Sequence, residues 1–225
     1  MGAREVIVAV TGHRLNQLPE PERPRIKAEI ERCLDEIEAA ALTLTEGRAR
    51  LTLRSAIAEG ADRYAADAAL ARQWRLVAPL PFSVERYAED FGGDQQSVAH
   101  YQKLLWAARN VRPVTERQVA DIENGGDAAP YAAVGRALIA RADVLLCVWN
   151  GTPPRGPGGT SEVAALMLEQ GGLVLWIAVG RPGVTLIGPA PLPRAGSFRR
   201  KLHEALSACF PRATRPPEMR TACPP

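Results

Sequence analysis

Residues 142–170, ADVLLCVWNGTPPRGPGGTSEVAALMLEQ, decide the predicted fold. The apolar run 144–149 predicts a buried strand, and a loop rich in Gly and Pro follows it. Gly158, Gly159 and Thr160 then open an amphipathic segment that predicts a helix. A helix start presents free N–H groups and the positive end of a dipole, which favour phosphate. An ordinary strand–loop–helix connection remains equally consistent, because Gly and Thr are common at helix starts.

The same alternation of apolar runs and amphipathic segments covers most of the chain. Further strands are predicted at 4–10, 51–57, 76–80 and 173–179, and further helices begin near Pro24 and cover 61–71, 131–142 and 197–210. Repeated strand–helix units predict an α/β fold, a three-layer, doubly wound, mainly parallel sheet of the Rossmann-like type. We predict a single domain over 1–210 with a helical insertion near 83–128, and a flexible Pro-rich tail at 211–225.

Composition limits the classes of partner. The 28 Lys and Arg against 25 Asp and Glu give a net charge of only +3, and aromatic residues make up 5% of the chain. These values argue against nucleic acid as a partner. No apolar run is long enough to span a membrane, and the chain enters its first strand without a signal peptide. The four cysteines are scattered, which indicates a cytoplasmic protein without disulfides or zinc.

Unusual polar and glycine residues follow each predicted strand. In a doubly wound sheet the ligand lies outside the carboxyl ends of the strands, so these residues predict a pocket there. The candidate ligand- and phosphate-binding residues are Thr11, Gly12, His13 and Arg14 after the first strand, Gly60, Asp62 and Arg63 after the second, and Asn150, Arg155, Gly158, Gly159 and Thr160 after the fourth.

The TGHR turn after the first strand suits a phosphate ligand. Gly12 could take a positive φ or leave room for phosphate or ribose. Arg14 could clamp phosphate with its forked guanidinium, and His13 could donate to ribose or transfer a proton. The alternative is a tight turn with a solvated arginine.

Charged residues in the other two loops each have two interpretations. Asp62 complements the dipole of its helix, whereas Arg63 opposes it and needs a partner, either a ligand phosphate or a neighbouring carboxylate. Arg155 could swing over a bound phosphate or be a plain loop residue. Glu162 lies in a first helical turn, where the dipole favours it. It could also hold ribose hydroxyls or act as a general base.

Several well-known site motifs are absent from the sequence. There is no GxGxxG after the first strand, no GxxxxGK[ST] and no GxSxG. Three scattered histidines and unpatterned cysteines offer no metal cluster. We therefore expect no required cofactor and no metal, with a nucleotide of unknown identity as the ligand.

Three segments resemble the SLOG superfamily of Rossmann-like proteins. They are VAVTGHR at 8–14, AEGADRYAADAAL at 58–70 and ADVLLCVWNGTPPRGPGGTSEV at 142–163. The superfamily includes the LONELY GUY phosphoribohydrolases, DNA-processing protein A and proposed nucleotide sensors, and the TGHR-bearing branch is the most similar. The resemblance implies a small-molecule nucleotide held by the first and fourth strand loops, with phosphate on Gly158, Gly159 and Thr160. A homodimer formed through helices is implied by the resemblance alone.

The phosphoribohydrolase motif PGGxGTxxE is matched only in part. Here GPGGTSE lacks the residue between the glycines, and Glu162 follows Thr160 by two positions, where the motif has three. The position of the family's catalytic arginine holds Val134, with Arg136 two places away. The main expectation is therefore a nucleotide-binding protein, for which the resemblance implies a role as a sensor. One alternative is a hydrolase cleaving the N-glycosidic bond of a nucleoside 5′-monophosphate, with Glu162 catalytic and Arg14 or Arg136 clamping phosphate. The other is a single-stranded DNA binder like DNA-processing protein A.

Overall fold

The strands of the molecule form one twisted sheet. The structure is a computed structural model that describes residues 3–123, 126–153, 158–188 and 197–209. Within these ranges the sheet has seven strands in the order β4-β3-β2-β1-β5-β6-β7. In chain order they are β1 Arg4–Gly12, β2 Ala49–Arg54, β3 Arg75–Leu80, β4 Asn110–Pro113, β5 Val144–Trp149, β6 Leu173–Ala178 and β7 Val184–Ile187.

Helices cover both faces of this sheet. They are α1 Arg23–Leu44, α2 Ala61–Ala71, α3 Val84–Ala88, α4 Gln95–Ala107, α5 Glu116–Ala120, α6 Ala129–Ile139, α7 Thr160–Glu169 and α8 Phe198–Cys209. Successive side chains of a strand point to opposite faces, and β1 shows this directly. Val8 and Val10 lie in the apolar core with α1, α2, α4 and α8, whereas Ala9 packs with α6 and α7. The three-layer arrangement follows from this division.

The order of the strands places a crevice beside β1. All neighbouring strands run parallel except β7, which pairs antiparallel with β6. The chain moves outward from β1 through β2 and β3 to β4, then returns to the other side of β1 to form β5. Gly12 at the end of β1 pairs with Val148 near the end of β5. This reversal is the topological switch point of a doubly wound sheet, and the predicted fold class is confirmed.

The structure differs from the sequence prediction at the two edges of the sheet. The segment 83–128 is more than a helical insertion, because β4 lies within it and extends the sheet beside β3. The segment after Gly180, for which the sequence predicts no strand, contains β7. Both strands have four residues and carry no buried apolar alternation. They form because an inner strand offers free backbone groups, a signal that no local pattern in the sequence carries.

Three further sequence predictions concern the C-terminal tail, a membrane span and a metal site. The predicted tail at 211–225 lies outside the described residues. No helix in the described ranges is long and apolar enough to cross a membrane. In the same part of the chain, no group of three or more His, Cys, Asp or Glu side chains could hold a metal ion.

Candidate functional site

A cavity of about 450 Å³ opens at the carboxyl edge of the sheet, where β1 and β5 end. We call it the switch-point crevice. Of the residues predicted from the sequence it brings together Thr11, Gly12, His13, Arg14, Asp62, Asn150, Gly158, Gly159 and Thr160. The turns after β1 and β5 therefore converge on one space. Gly60, Arg63 and Glu162 do not line it, and Arg155 lies outside the described residues.

The N-terminus of α7 forms one wall of the crevice. Gly159 is the N-cap residue with φ −72° and ψ 156°, and as a glycine it supplies no capping side chain. The first intrahelical bond of this turn runs from the Val163 N–H to the Gly159 carbonyl, at 3.1 Å. The N–H groups of Thr160 and Ser161 precede that bond and so have no acceptor within the helix. Both residues line the crevice, so their N–H groups are suited to an anion. We call this N-terminal turn of α7, with Thr160 and Ser161, the anion wall.

Glu162 holds the loop that leads into α7. Its Oε2 accepts a hydrogen bond of 2.6 Å from the Gly158 N–H. Gly158 itself has φ +81°, and a Cβ there would lie 2.6 Å from the Ala132 backbone nitrogen. Glycine is required because the loop lies directly on the backbone of α6. The Glu162 carboxylate thus holds the loop that leads into α7. It is not one of the described residues that line the crevice.

Gly12 has a packing role that the sequence did not reveal. Its φ lies outside the positive range, so no unusual backbone conformation requires glycine. A Cβ at this position would lie 2.6 Å from the Ala61 Cβ and 2.9 Å from the Val148 Cβ. Gly60 has φ +90°, and a Cβ on it would lie 2.5 Å from the His13 carbonyl oxygen. These two glycines let the start of α2 pack closely against β1 and the loop after it.

Arg14 enters the crevice from the loop after β1 and is partly exposed. Its Nη2 donates to Asp90 Oδ2 at 3.1 Å, and Tyr131 Oη donates to the same oxygen at 2.8 Å. Burial lowers the pKa of Arg14, but the Asp90 hydrogen bond and nearby acidic groups outweigh it and raise the pKa. Arg14 is therefore a fixed cation beside the anion wall. Asp90 lies 76 residues away in sequence, so no local motif pointed to it.

His13 and Asn150 tie the two loops of the crevice together. The His13 N–H donates to the Val148 carbonyl at 2.9 Å, and the Asn150 N–H donates to His13 Nε2 at 3.3 Å. Nε2 is thus an acceptor, which assigns the neutral imidazole to this geometry. Asn150 Oδ1 accepts from the Thr152 N–H at 3.1 Å and keeps the loop after β5 turned. These hydrogen bonds hold the loops after β1 and β5 together, and both residues also line the crevice.

Asp62 lies at the floor of the crevice, in the first turn of α2. Only 5% of the residue is exposed. Burial raises the pKa of its carboxyl to about 7, although the Ala58 and Ala56 N–H groups, Arg14 and the Ser55 hydroxyl favour the charged form. A carboxyl that titrates near neutrality inside a cavity is a feature of functional sites. The favourable interaction with the α2 dipole therefore does not fully explain why a carboxyl lies at this position.

Arg63 is buried on the other side of α2. Its Nε donates to the Ile57 carbonyl at 3.0 Å, and its Nη1 donates to the Ser97 carbonyl at 2.9 Å. The guanidinium carbon lies 4.4 Å from the ring centroid of Phe91. Burial lowers the pKa of Arg63, while Glu59 nearby favours the charged form. The partner that the sequence required for Arg63 is thus the loop after β2 and helix α4, and the side chain does not reach the crevice.

An apolar wall completes the crevice opposite the loops. It is formed mainly by Val134 and Leu138 of α6, and the rings of Tyr131 and Trp149 stand beside it. An apolar helix face predicts core, so the sequence gives no signal that these residues line a site. The crevice thus combines the N-terminus of α7, Arg14 and an apolar surface. The fold is a Rossmann-like α/β fold with a cavity at its topological switch point.

Comparison with known proteins adds two solved structures. No model of a known protein family and no curated protein matches the chain. DNA processing protein A from Streptococcus pneumoniae is similar at 14% identity and a TM-score of 0.47, over 90% of this chain and 55% of that one. DNA processing protein A from Helicobacter pylori is similar at 18% identity and a TM-score of 0.41, over 73% of this chain and 61% of that one. The chain thus spans little more than half the length of either.

These findings correct one expectation and leave others open. The Helicobacter pylori protein is described by its single-stranded DNA binding mode, which overturns the prediction against a nucleic-acid partner. That prediction rested on net charge and aromatic content, which average over the whole chain and say little about one crevice. DNA processing protein A belongs to the superfamily that the sequence motifs resemble, and the comparison does not distinguish a branch of it.

Proposed function

We propose that the switch-point crevice binds a nucleoside phosphate. The observation that carries the proposal is the uncapped N-terminus of α7, whose Thr160 and Ser161 line the same cavity as Arg14. Phosphate suits these donors because the helix dipole and the free N–H groups act together. The apolar wall of α6 and the two aromatic rings then offer a surface for the base and ribose.

Binding rather than hydrolysis is the function we propose. The carboxylate that the resemblance makes catalytic, Glu162, already accepts the Gly158 N–H and does not line the crevice. An N-glycosidic hydrolase needs a carboxylate beside the scissile bond. Incubation with AMP is expected to release no free base, and release that Glu162→Gln abolishes would establish the enzyme instead.

The first test is a thermal-shift screen with AMP, ADP, ADP-ribose, NAD and cyclic AMP. A ligand at a hundredfold excess over its Kd stabilises the native state by about 2.7 kcal/mol. For a chain of this size that corresponds to a rise in Tm of roughly 5–10 °C. A screen in which none of these nucleotides raises the Tm contradicts the proposal.

The helix start is tested by Thr160→Pro, which removes one N–H from the anion wall. Proline is well tolerated at a first helical position, and Gly159 already has the extended conformation that precedes proline. We expect Thr160→Pro to weaken binding of AMP by roughly 10- to 100-fold, the value of a hydrogen bond to a charged group. Isothermal titration calorimetry measures the effect.

The matched control is Thr160→Ala, which removes the side chain and keeps the N–H group. It is expected to change the affinity less than threefold or so, because a threonine hydroxyl at the first helical position is dispensable to a dipole-bound anion. Equal affinities for the two variants would place the phosphate elsewhere.

Single-stranded DNA is a second candidate ligand, since it offers linked nucleoside phosphates. The Tyr131 and Trp149 rings, which line the same crevice as Arg14, favour it, because aromatic rings and cations together bind single strands. Fluorescence anisotropy with labelled oligothymidylate, with and without a 5′-phosphate, tests this candidate at low and moderate salt. Salt-sensitive binding that AMP competes away and Thr160→Pro weakens would make DNA the ligand of the crevice. An oligonucleotide that does not bind at low salt excludes it.

A further inference from the structure

A buried carboxyl is an unexpected group to find in a crevice suited to anions. Asp62 lies on the floor of the switch-point crevice with 5% of its surface exposed. An ionised carboxylate there repels a bound phosphate, and burial already disfavours its charge. A structural carboxylate of this kind is normally paired with a cation of its own. Asp62 therefore calls for an explanation beyond the stability of the helix start.

The loop after β2 holds the Asp62 carboxyl in place. Ile57 in this loop has φ +51°, a strained conformation for a β-branched residue. Ser55 Oγ accepts the Ile57 N–H at 2.9 Å, and Arg63 Nε binds the Ile57 carbonyl at 3.0 Å. The loop so held turns the Ala56 and Ala58 N–H groups toward the carboxyl. The position of Asp62 is thus determined by the fold before any ligand arrives.

Ionisable groups on three elements interact electrostatically with Asp62. They are Arg14 in the loop after β1, Arg63 in α2 and Tyr87 in α3. Burial raises the pKa of Tyr87, which keeps that hydroxyl neutral. Arg63 is engaged by Ile57 and Ser97, and Arg14 is shared with Asp90. His13 lines the same crevice as a neutral acceptor.

A bound phosphate adds a third anion around Arg14. Asp90, Asp62 and the phosphate then compete for one guanidinium, and like charges at short range raise the pKa of the least solvated acid. Asp62 is more buried than Asp90. A neutral carboxyl on the floor of the crevice repels no anion and offers an O–H donor in its place.

Resting on the proposed function, we propose that Asp62 binds one proton when a nucleoside phosphate enters the crevice and donates it as a hydrogen bond to the ligand. The proton comes from solvent, and no covalent bond forms or breaks. Ligand binding is therefore coupled to proton uptake, and the crevice holds its ligand more tightly on the acidic side of neutrality. The pKa of Asp62, which burial raises to about 7, makes this proton available under ordinary conditions.

The test measures the affinity for ADP-ribose by calorimetry between pH 6 and pH 9. Its pyrophosphate does not titrate in this range, so a pH dependence reports the protein. We expect the Kd of the unaltered protein to rise about fivefold or more between pH 6.5 and pH 8.5. Repetition at pH 7.5 in buffers of different ionisation enthalpy is expected to show uptake of roughly half a proton or more per ligand, because a carboxyl with a pKa of about 7 is already partly protonated at this pH.

Asp62→Asn separates the titration of this carboxyl from that of His13, which lines the same crevice. The variant is expected to bind ADP-ribose with an affinity that varies less than threefold or so across the range, and to take up no proton. Asp35→Asn is the matched control, since Asp35 on α1 makes a surface ion pair with Arg72. This variant is expected to keep the full pH dependence. A pH dependence that survives in Asp62→Asn overturns the inference.

A second measurement needs no variant. The carboxyl ¹³C resonance of Asp62 is expected to titrate near pH 7 in the free protein and at least one pH unit higher with saturating ADP-ribose. An unmoved titration with ADP-ribose bound refutes the proton uptake and leaves the proposed function standing. If no nucleotide of the thermal-shift screen binds, the proposed function fails and this inference fails with it.

Discussion

Asp62→Asn is expected to make the protein more stable at pH 8 than the unaltered chain, with an advantage that disappears toward pH 4. Burial raises the pKa of Asp62 to about 7 in the folded state, well above its value in the unfolded chain. Between these two pKa values the folded state binds more protons than the unfolded state. The free energy of unfolding therefore falls as pH rises through this window, and remains lowered above pH 7.

The size of this effect follows from the pKa difference. Each pKa unit is worth about 1.4 kcal/mol, so the change across the window amounts to about 4 kcal/mol. Urea denaturation of both proteins at pH 4.5 and pH 8 measures it, as the difference between the two variants at each pH. The surface change Asp35→Asn serves as the control and is expected to shift stability by less than about 1 kcal/mol at both pH values. Parallel pH profiles for Asp62→Asn and the unaltered protein would show that the carboxyl stays ionised when buried.

Gly12→Ala is expected to destabilise the fold by about 3 kcal/mol, at the upper end of the usual cost of overpacking. The added Cβ would lie 2.6 Å from the Ala61 Cβ and 2.9 Å from the Val148 Cβ. Both neighbours are attached directly to backbone, so no side-chain rotation can relieve the contacts. Helix α2 must move away from β1 and β5 instead. Guanidinium denaturation gives the free energy of unfolding, and a neutral result would contradict the tight packing.

A double-mutant cycle tests the cause of that destabilisation. Ala61→Gly removes the closer of the two contacted Cβ atoms and by itself weakens the first turn of α2 by about 1 kcal/mol. In the Gly12→Ala background it is expected to recover part of the lost stability, because the 2.6 Å contact is relieved. Additive losses would show that the Ala61 contact is not the cause.

The local sequence predicts the inner elements of the fold well. The predicted helix 61–71 coincides with α2, and the predicted strands at 4–10, 76–80 and 173–179 match β1, β3 and β6 to within two residues at each end. These elements are set by apolar runs and helical periodicity, which are properties of short segments. The edge strands β4 and β7 escaped prediction because pairing with a neighbour, rather than their own composition, creates them.

The candidate site was likewise only partly predictable from the sequence. The residues after β1 and β5 were predicted to share one crevice, and the structure brings Gly12 and Gly159 into the same cavity. Arg63 was assigned to a ligand phosphate or a neighbouring carboxylate, yet it binds the Ile57 and Ser97 carbonyls. A buried arginine is indistinguishable from a ligand-facing one in sequence, since both need an acceptor and only packing decides which acceptor is near.

The sequence by itself determined the alternation of strands and helices, and with it the edge of the sheet where the loops meet. Those features depend on apolar spacing and turn residues within about ten positions. Only the tertiary structure decided that Gly12 serves packing, that Asp90 holds Arg14 from 76 residues away, and that the Asp62 carboxyl is buried. The physical reason is that contact, burial and the resulting pKa are properties of segments brought together in space, and no single segment contains them.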